Sequence, residues 1–215
     1  MSNIKTKQID FWQGEFGKKY TKRNTYGPKQ LDLLYKKIYG ISCYEMNNSF
    51  LSKFNKNLKI LEIGCNNGQQ LRHLQLMGFK NLFGIEIQWY ATEIAKKVTR
   101  NINIIQGSAF DIPFRDGYFD LVFTAGVLIH INPKDIEKAM QEIYRVSKKY
   151  IWGFEYYSQN GYEEIVYRGN RNVLWKTDFR AFYQKVFPQL KLIKETLYPY
   201  ADDKGLIDQR FLLSK

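Results

Sequence analysis

Lys59-Ile-Leu-Glu-Ile-Gly-Cys-Asn-Asn-Gly68 is the stretch on which the reading of this chain turns. Its apolar residues Ile60, Leu61 and Ile63 make a short strand, and a glycine-rich turn ends it before a helix-like segment. Such a turn presents main-chain N–H groups at a helix N-terminus, where an anionic or carboxylate-bearing ligand can approach the backbone. The glycines fall at Gly64 and Gly68, with Glu62 ahead of the first. A dinucleotide-binding fingerprint would need glycines at 64, 66 and 69, but Asn66 and Gln69 occupy the later positions.

Outward from this stretch, strands and helices alternate. Asn81-Leu-Phe-Gly-Ile-Glu-Ile-Gln88 reads as a second strand ending in an acid, and Glu86 follows Glu62 by 24 residues, one helix plus one strand. A carboxylate at that tip can accept hydrogen bonds from both hydroxyls of a ribose. Ile102–Gln106, leading into Gly107-Ser-Ala109, is a third strand and turn, and Tyr118-Phe-Asp-Leu-Val-Phe-Thr-Ala125 a fourth strand. Helices are expected over 67–77, 89–99 and from about Pro133 to Ser147, the last with Asn132 as its N-cap. A fifth strand spans Tyr150–Glu155, a long loop 156–174, a helix 177–186, and closing strands 190–197 and 206–213. Alternation predicts parallel pairing, whereas the closing strands, joined only by a turn, should be antiparallel. Upstream, residues 8–25 read as a helix or a helix plus loop, Gly27-Pro28 as a break, and Lys29 to about Phe54 as helical.

The spacing E-x-G-x-x-x-G from Glu62 to Gly68 resembles motif I of the class I S-adenosylmethionine (SAM) methyltransferases, and the next three segments follow in that family's order. The resemblance implies an α/β, Rossmann-like fold. Its seven-stranded methyltransferase sheet, mostly parallel with the last strand antiparallel, would span residues 57–215 behind an N-terminal helical cap at 1–56. It also implies SAM as cofactor and S-adenosylhomocysteine (SAH) as product. Ligands of open α/β sheets bind at the carboxyl ends of the strands. The expected cofactor contacts are therefore Glu62, Gly64, Cys65, Asn66 and Gly68, then Glu86 and Ile87, Ser108 and Ala109, and Thr124 and Gly126. Many members carry Asp where this chain has Ser108, so Asp111 or a backbone carbonyl would have to meet the adenine amino group instead.

Composition narrows the class further. The 215 residues are 44% hydrophobic and 16% aromatic, which excludes global disorder and suits one α/β domain with a small elaboration. No apolar run approaches ~18 residues and the N-terminus lacks a signal-peptide core, so a cytoplasmic protein without a membrane span is expected. Cys43 and Cys65 with two distant histidines make neither a disulfide framework nor a metal site. The net charge of +12 is concentrated in residues 1–60, which hold twelve Lys/Arg against four Asp/Glu. These lysines are scattered along the segment, which suits a solvated surface, though a basic layer can also attract nucleic acid.

A narrower resemblance rests on Phe11-Trp-Gln-Gly-Glu-Phe-Gly-Lys-Lys-Tyr-Thr-Lys-Arg-Asn24, Gly126-Val-Leu-Ile-His-Ile-Asn-Pro133, Glu155-Tyr-Tyr157, Tyr167-Arg-Gly169 and Lys176-Thr-Asp-Phe179. From Phe11 to Leu213 the chain resembles the pseudaminic acid biosynthesis-associated methylases. That resemblance implies a small-molecule acceptor, a sugar or sugar nucleotide of surface polysaccharide or nonulosonic acid biosynthesis, methylated on oxygen or nitrogen.

Individual side chains suggest the chemistry. His130, just beyond the fourth strand, has an ordinary pKa suited to general-base work at neutral pH, and Glu155 is a second candidate base. Tyr156, Tyr157, Tyr167 and Arg168 are expected to hold substrate, with Arg168 on a phosphate or carboxylate. Trp12, Phe16, Tyr20 and Arg23 share one helix face. Trp12 and Phe16 should pack on the domain, leaving Tyr20 and Arg23 to reach the SAM carboxylate as a lid. Two rival readings are an RNA or protein acceptor and a non-catalytic partner of the same fold. Against the first, no RNA-binding module precedes the strands, so nucleic acid is not the expected partner. Against the second stand the intact Gly64, Gly68 and Glu86.

Overall fold

The computed structural model describes residues 4–215. Among the described residues, four helices precede the first strand: α1 (Lys7–Gln13), α2 (Glu15–Arg23), α3 (Pro28–Tyr39) and α4 (Cys43–Leu51). The segment 8–25 divides at Gly14, whose extended backbone caps α2. Gly17 then lets α2 fold close onto α1, since a Cβ there would lie 1.8 Å from the Trp12 carbonyl oxygen. The helical pattern from Lys29 breaks at Gly40, in the left-handed region, and α4 restarts on a capping box in which Ser42 and Glu45 satisfy each other's N–H groups.

The alternating frame follows: β1 (Lys59–Ile63), α5 (Gln69–Leu76), β2 (Asn81–Glu86), α6 (Trp89–Val98), β3 (Ile102–Gln106), β4 (Phe119–Ala125), α7 (Ile136–Val146) and β5 (Ser147–Tyr156). A small hairpin of β6 (Glu163–Glu164) and β7 (Trp175–Lys176) stands partly within the segment expected to be loop. Helix α8 (Phe179–Val186), β8 (Lys191–Pro199) and β9 (Ile207–Ser214) complete the chain. Helix α7 begins at Ile136, later than expected. Asn132 and Pro133 instead form a turn, closed by the Asp135 N–H on the Asn132 carbonyl at 2.8 Å, and Asn132 Oδ1 accepts from the Lys134 N–H.

The seven-stranded sheet has the order β3-β2-β1-β4-β5-β9-β8, parallel except for β9, which runs antiparallel to both neighbours. Its inner strands are buried on both faces, which is why β1 and β4 read as near-continuous apolar runs. Both faces of these strands carry core residues. Leu61, Ile63 and Val122 pack with α7 and α8 on one face, while Ile60, Leu121 and Phe123 pack with α4 and α5 on the other. A third cluster joins α3 and α4 to Phe154 and Tyr198, fastening the N-terminal helices to the far half of the sheet. The register pairs Ile63 with Ile85 on one side and Thr124 on the other. The carboxyl ends of β1, β2 and β4 are thus level, and the loops that follow them face the N-terminal helices across a cavity.

Candidate functional site

The cavity has a volume of about 410 Å³ and runs from the turn after β1 to the edge of β9, roofed by residues of α1–α3. At its sheet end, Gly64 has φ +67°, which an L side chain rarely adopts, and a Cβ there would meet Val127 Cγ2 at 2.6 Å. Asn66 also adopts a positive φ, and Gly68, in the left-handed region, begins α5. The Asn66 N–H donates to Glu86 Oε2 at 2.7 Å and the Gln88 N–H to Glu86 Oε1 at 2.8 Å. Glu86 is buried, which raises its pKa, while those backbone donors lower it. A carboxylate offers about four lone-pair directions, so acceptor capacity remains on the cavity side.

Glu62 lies deeper. It is buried, and Oε2 has no hydrogen-bond partner among the described residues. Burial and the nearby Glu86 push its pKa well above the usual carboxylate range. Trp12 Nε1–H is likewise a buried donor without a partner, and Trp12 lines the cavity instead of serving only as packing. Cys65 is a buried thiol beside Gly84, and burial raises its pKa. Ile87, Ser108 and Ala109 also line the cavity; Ser108 Oγ accepts from the Phe110 N–H at 3.2 Å.

His130 lines the cavity from the short 3₁₀ turn Leu128–His130. Its Nδ1 lies 2.8 Å from the Val173 carbonyl oxygen. A carbonyl only accepts, so Nδ1 carries the proton and Nε2 keeps the lone pair. Trp12 packs on the ring at a centroid distance of 4.3 Å. Burial pushes the imidazole pKa down to about 4, so the ring is neutral at pH 7.

Glu155 does not line the cavity. Its buried carboxylate accepts from the N–H groups of Val127 at 3.0 Å and Ile129 at 3.4 Å, and thereby holds the turn that presents His130. This places the carboxylate on the backbone of the turn and away from the cavity in which a second base was expected from the sequence. Burial pushes its pKa up to about 7.

The remaining sequence candidates divide. Tyr20 lines the cavity, and burial pushes its phenol up to about 12. Arg23 is exposed, turned onto the Phe16 ring at 5.9 Å, and does not reach the cavity. Gly126 lines it, while Thr124 and Gly68 stand behind it. Tyr167 packs on Phe16 and His130 behind the wall. Arg168 is exposed on a turn at φ +49°, and Tyr156 and Tyr157 are half-buried outside the cavity.

Sequence reasoning passed over two groups. Gln88 Nε2 donates to the carbonyls of Gln13 at 2.6 Å and Gly14 at 3.0 Å, with Trp12 O at 3.1 Å, while Oε1 caps α6 through the Tyr90 N–H. This side chain ties the α1–α2 junction to the tip of β2. The second group is the far lobe, walled by Tyr35, Tyr39, Phe154 and Tyr200 around the buried Asp208. Tyr39 Oη donates to Asp208 Oδ2 at 2.5 Å. Among the described residues no cluster of three His, Cys, Asp or Glu side chains is placed to hold a metal ion, and no helix is long and apolar enough to cross a membrane.

Residues 61–150 match the model of a family described as a methyltransferase domain. An uncharacterised methyltransferase of Synechocystis sp. is 31% identical over 90 residues, a match that spans 42% of either chain. Among solved structures, magnesium protoporphyrin IX methyltransferase from Synechocystis PCC 6803, with bound SAM, superposes over 100% of both chains with a TM-score of 0.69 at 11% identity. A Burkholderia thailandensis 1,6-didemethyltoxoflavin-N1-methyltransferase, with bound 1,6-didemethyltoxoflavin and SAH, covers 80% of this chain and 76% of its own at TM-score 0.63 and 12% identity. Identities this low speak for the fold alone. The likeness over residues 61–150 is thus to a methyltransferase domain, and the solved structures add the fold, a complete seven-stranded frame.

Proposed function

We propose that the protein is a SAM-dependent methyltransferase whose acceptor is a small molecule, a sugar or sugar derivative methylated on oxygen or nitrogen. One observation carries this reading. A single cavity joins the Gly64/Glu86 end, suited to a nucleoside, to His130 and then to a polar-aromatic lobe. Its volume of about 410 Å³ lies in the range of small-molecule pockets. The sugar assignment is supported by the sequence resemblance over Phe11–Leu213.

The residues present fit the cofactor. Glu86 has spare acceptor capacity for ribose hydroxyls, and the orphaned Glu62 Oε2 suits the ammonium group. Trp12 Nε1–H and the Tyr20 phenol are donors for the carboxylate. Bound SAM supplies an electrophilic methyl group to a nucleophile aligned with it. The protein's part is to align and desolvate the reactants. The α1–α2 segment, held by Gln88, covers the site against water. His130, locked with its proton on Nδ1, accepts the acceptor's proton at Nε2 when the acceptor is a hydroxyl. Glu155 positions His130 through the backbone of residues 127–129.

The test is methyl transfer from radiolabelled SAM to a panel of sugars and nucleotide-activated sugars, with total RNA and a protein lysate as competing acceptors, preceded by calorimetry with SAH. Labelling of RNA or protein in preference to every sugar would overturn the small-molecule reading, and failure to bind SAH would overturn the cofactor assignment.

A further inference from the structure

The residue types lining the cavity run against the balance of the chain. The protein carries 33 Lys and Arg residues, yet none lines the cavity among the described residues, whereas Glu62, Glu86 and Asp208 do. The far lobe lies away from the nucleoside end, between α3 and the β8–β9 edge. Asp208 is buried there and bonded by the phenols of Tyr39 and Tyr200. Two of about four lone-pair directions are thereby used, leaving capacity for a ligand donor. The rings of Tyr35 and Tyr200 flank Tyr39 at centroid distances of 5.3 Å each, and Phe154 lies 5.9 Å from it. Aromatic faces carry partial negative charge, which favours cations and C–H edges and disfavours anions.

The nearest cation stands outside the lobe. Arg210 is fully buried, with its guanidinium over Phe154 at 4.5 Å and Trp152 at 4.9 Å, and it donates to Asn47 Oδ1 at 2.7 Å. Burial raises the Asp208 pKa, while the two phenols and the Arg210 field oppose that rise, and Arg210 offers an anion no contact in the cavity.

From this arrangement we propose that the far lobe is an acceptor subsite selective by charge. It admits an uncharged or cationic ring, binds a hydroxyl or ammonium donor on Asp208, and rejects carboxylate- and phosphate-bearing groups. The inference rests on the methyltransferase reading, and it adds a constraint: any phosphate of an activated acceptor must stay outside the lobe.

The experiment uses the full chain loaded with SAH and four probes that share one pyranose ring: methyl glucoside, glucosamine, glucuronate and glucose 6-phosphate. Saturation-transfer NMR at equal millimolar concentrations reads binding. Methyl glucoside and glucosamine should give signals, the anionic pair none, and Asp208→Asn should weaken both signals roughly tenfold through loss of a charge-assisted hydrogen bond. The stronger of the two positive probes distinguishes an ammonium from a hydroxyl donor. Leu34→Lys, at a half-buried position lining the cavity, keeps the test decisive if Asp208→Asn does not fold. It should weaken glucosamine and admit glucuronate. Anionic probes binding as well as neutral ones, signals indifferent to both substitutions, or silence from all four probes would overturn the subsite. SAH binding is measured separately on each protein, so failure of the cofactor reading shows as loss of SAH binding in the wild type and is not confused with failure of the subsite.

Discussion

The two ends of the cavity are built from different materials. At the sheet end the acid at the tip of β2, Glu86, is held by main-chain N–H groups of residues 66 and 88. At the far end Asp208 is held by the phenol of Tyr39, 169 positions away. Backbone donors at a turn are fixed by local geometry and keep their place with little regard for side-chain identity. A cage of tyrosines depends on each hydroxyl and on every element that carries one. The Gly64/Glu86 end should therefore tolerate change poorly where backbone geometry is altered and well elsewhere. The Asp208 end should respond to single atoms.

The largest effect expected is at Gly64. Gly64→Val combines a positive φ with a clash on Val127, costing on the order of 3–5 kcal/mol. Thermal unfolding should show Tm lower by roughly 10 °C or more. Adding Val127→Ala should recover part of that loss; no recovery would place the whole cost on the positive φ at position 64. His130→Ala comes next, lowering kcat by roughly 10²–10⁴ on a hydroxyl acceptor. With the neutral ring as the proposed base and burial holding its pKa near 4, wild-type kcat on a hydroxyl acceptor should stay level from pH 8 to about 5 and fall only as pH approaches 4. A profile that bends near pH 6.5 would contradict the buried placement. With an amine acceptor the profile follows the amine, and His130→Ala has little effect.

Glu86→Ala should weaken SAH binding by about 1.5–3 kcal/mol in calorimetry, since hydrogen bonds to a charged group are lost. Unchanged affinity would remove Glu86 from the nucleoside site. A smaller pair of effects concerns the turn between the two ends. His130 has its folded pKa lowered below the unfolded value of about 6.5, so its stability contribution is complete above that pH and is lost as pH falls toward 4. Glu155 has its folded pKa raised to about 7, so its contribution is complete below its unfolded value and is lost as pH rises through 7. Urea unfolding across pH 4–8 should therefore show His130→Ala flattening the acid side of the stability curve and Glu155→Gln the neutral side. The same tilt in both variants would refute the assigned burial. Smallest of all is Arg168→Ala. The side chain is exposed on its turn, away from the cavity, so KM for acceptor should change less than about twofold, as for other surface substitutions. A large rise in KM would extend the acceptor site to that loop and weaken the case for the far lobe.

Much of the sheet end was legible because its signals are local. An apolar run, two glycines four apart and an acid one helix and one strand later specify a strand–turn–helix unit and its neighbour. What misled was adjacency in sequence. Glu155, Tyr156 and Tyr157 sit together at the end of β5, but a strand alternates its faces, and the backbone turn at 127–129 uses the carboxylate. Arg23 follows Tyr20 by less than one helical turn, yet it lies on Phe16 at the surface. Gln88 gave no signal of its own, because its partners are carbonyls some seventy-five residues away.

The order of strands and helices, the glycine turn and the acid at the tip of β2 are written in the chain itself, because each depends on periodicity or on a few neighbouring residues. The far lobe and the contacts of Glu155 required the closed fold. Strand β9 enters between β5 and β8, setting Asp208 opposite Tyr156 and Tyr198 and bringing it under Tyr39 of α3. Residues that meet only after the chain has closed on itself leave no local pattern, and their chemistry exists only in the fold.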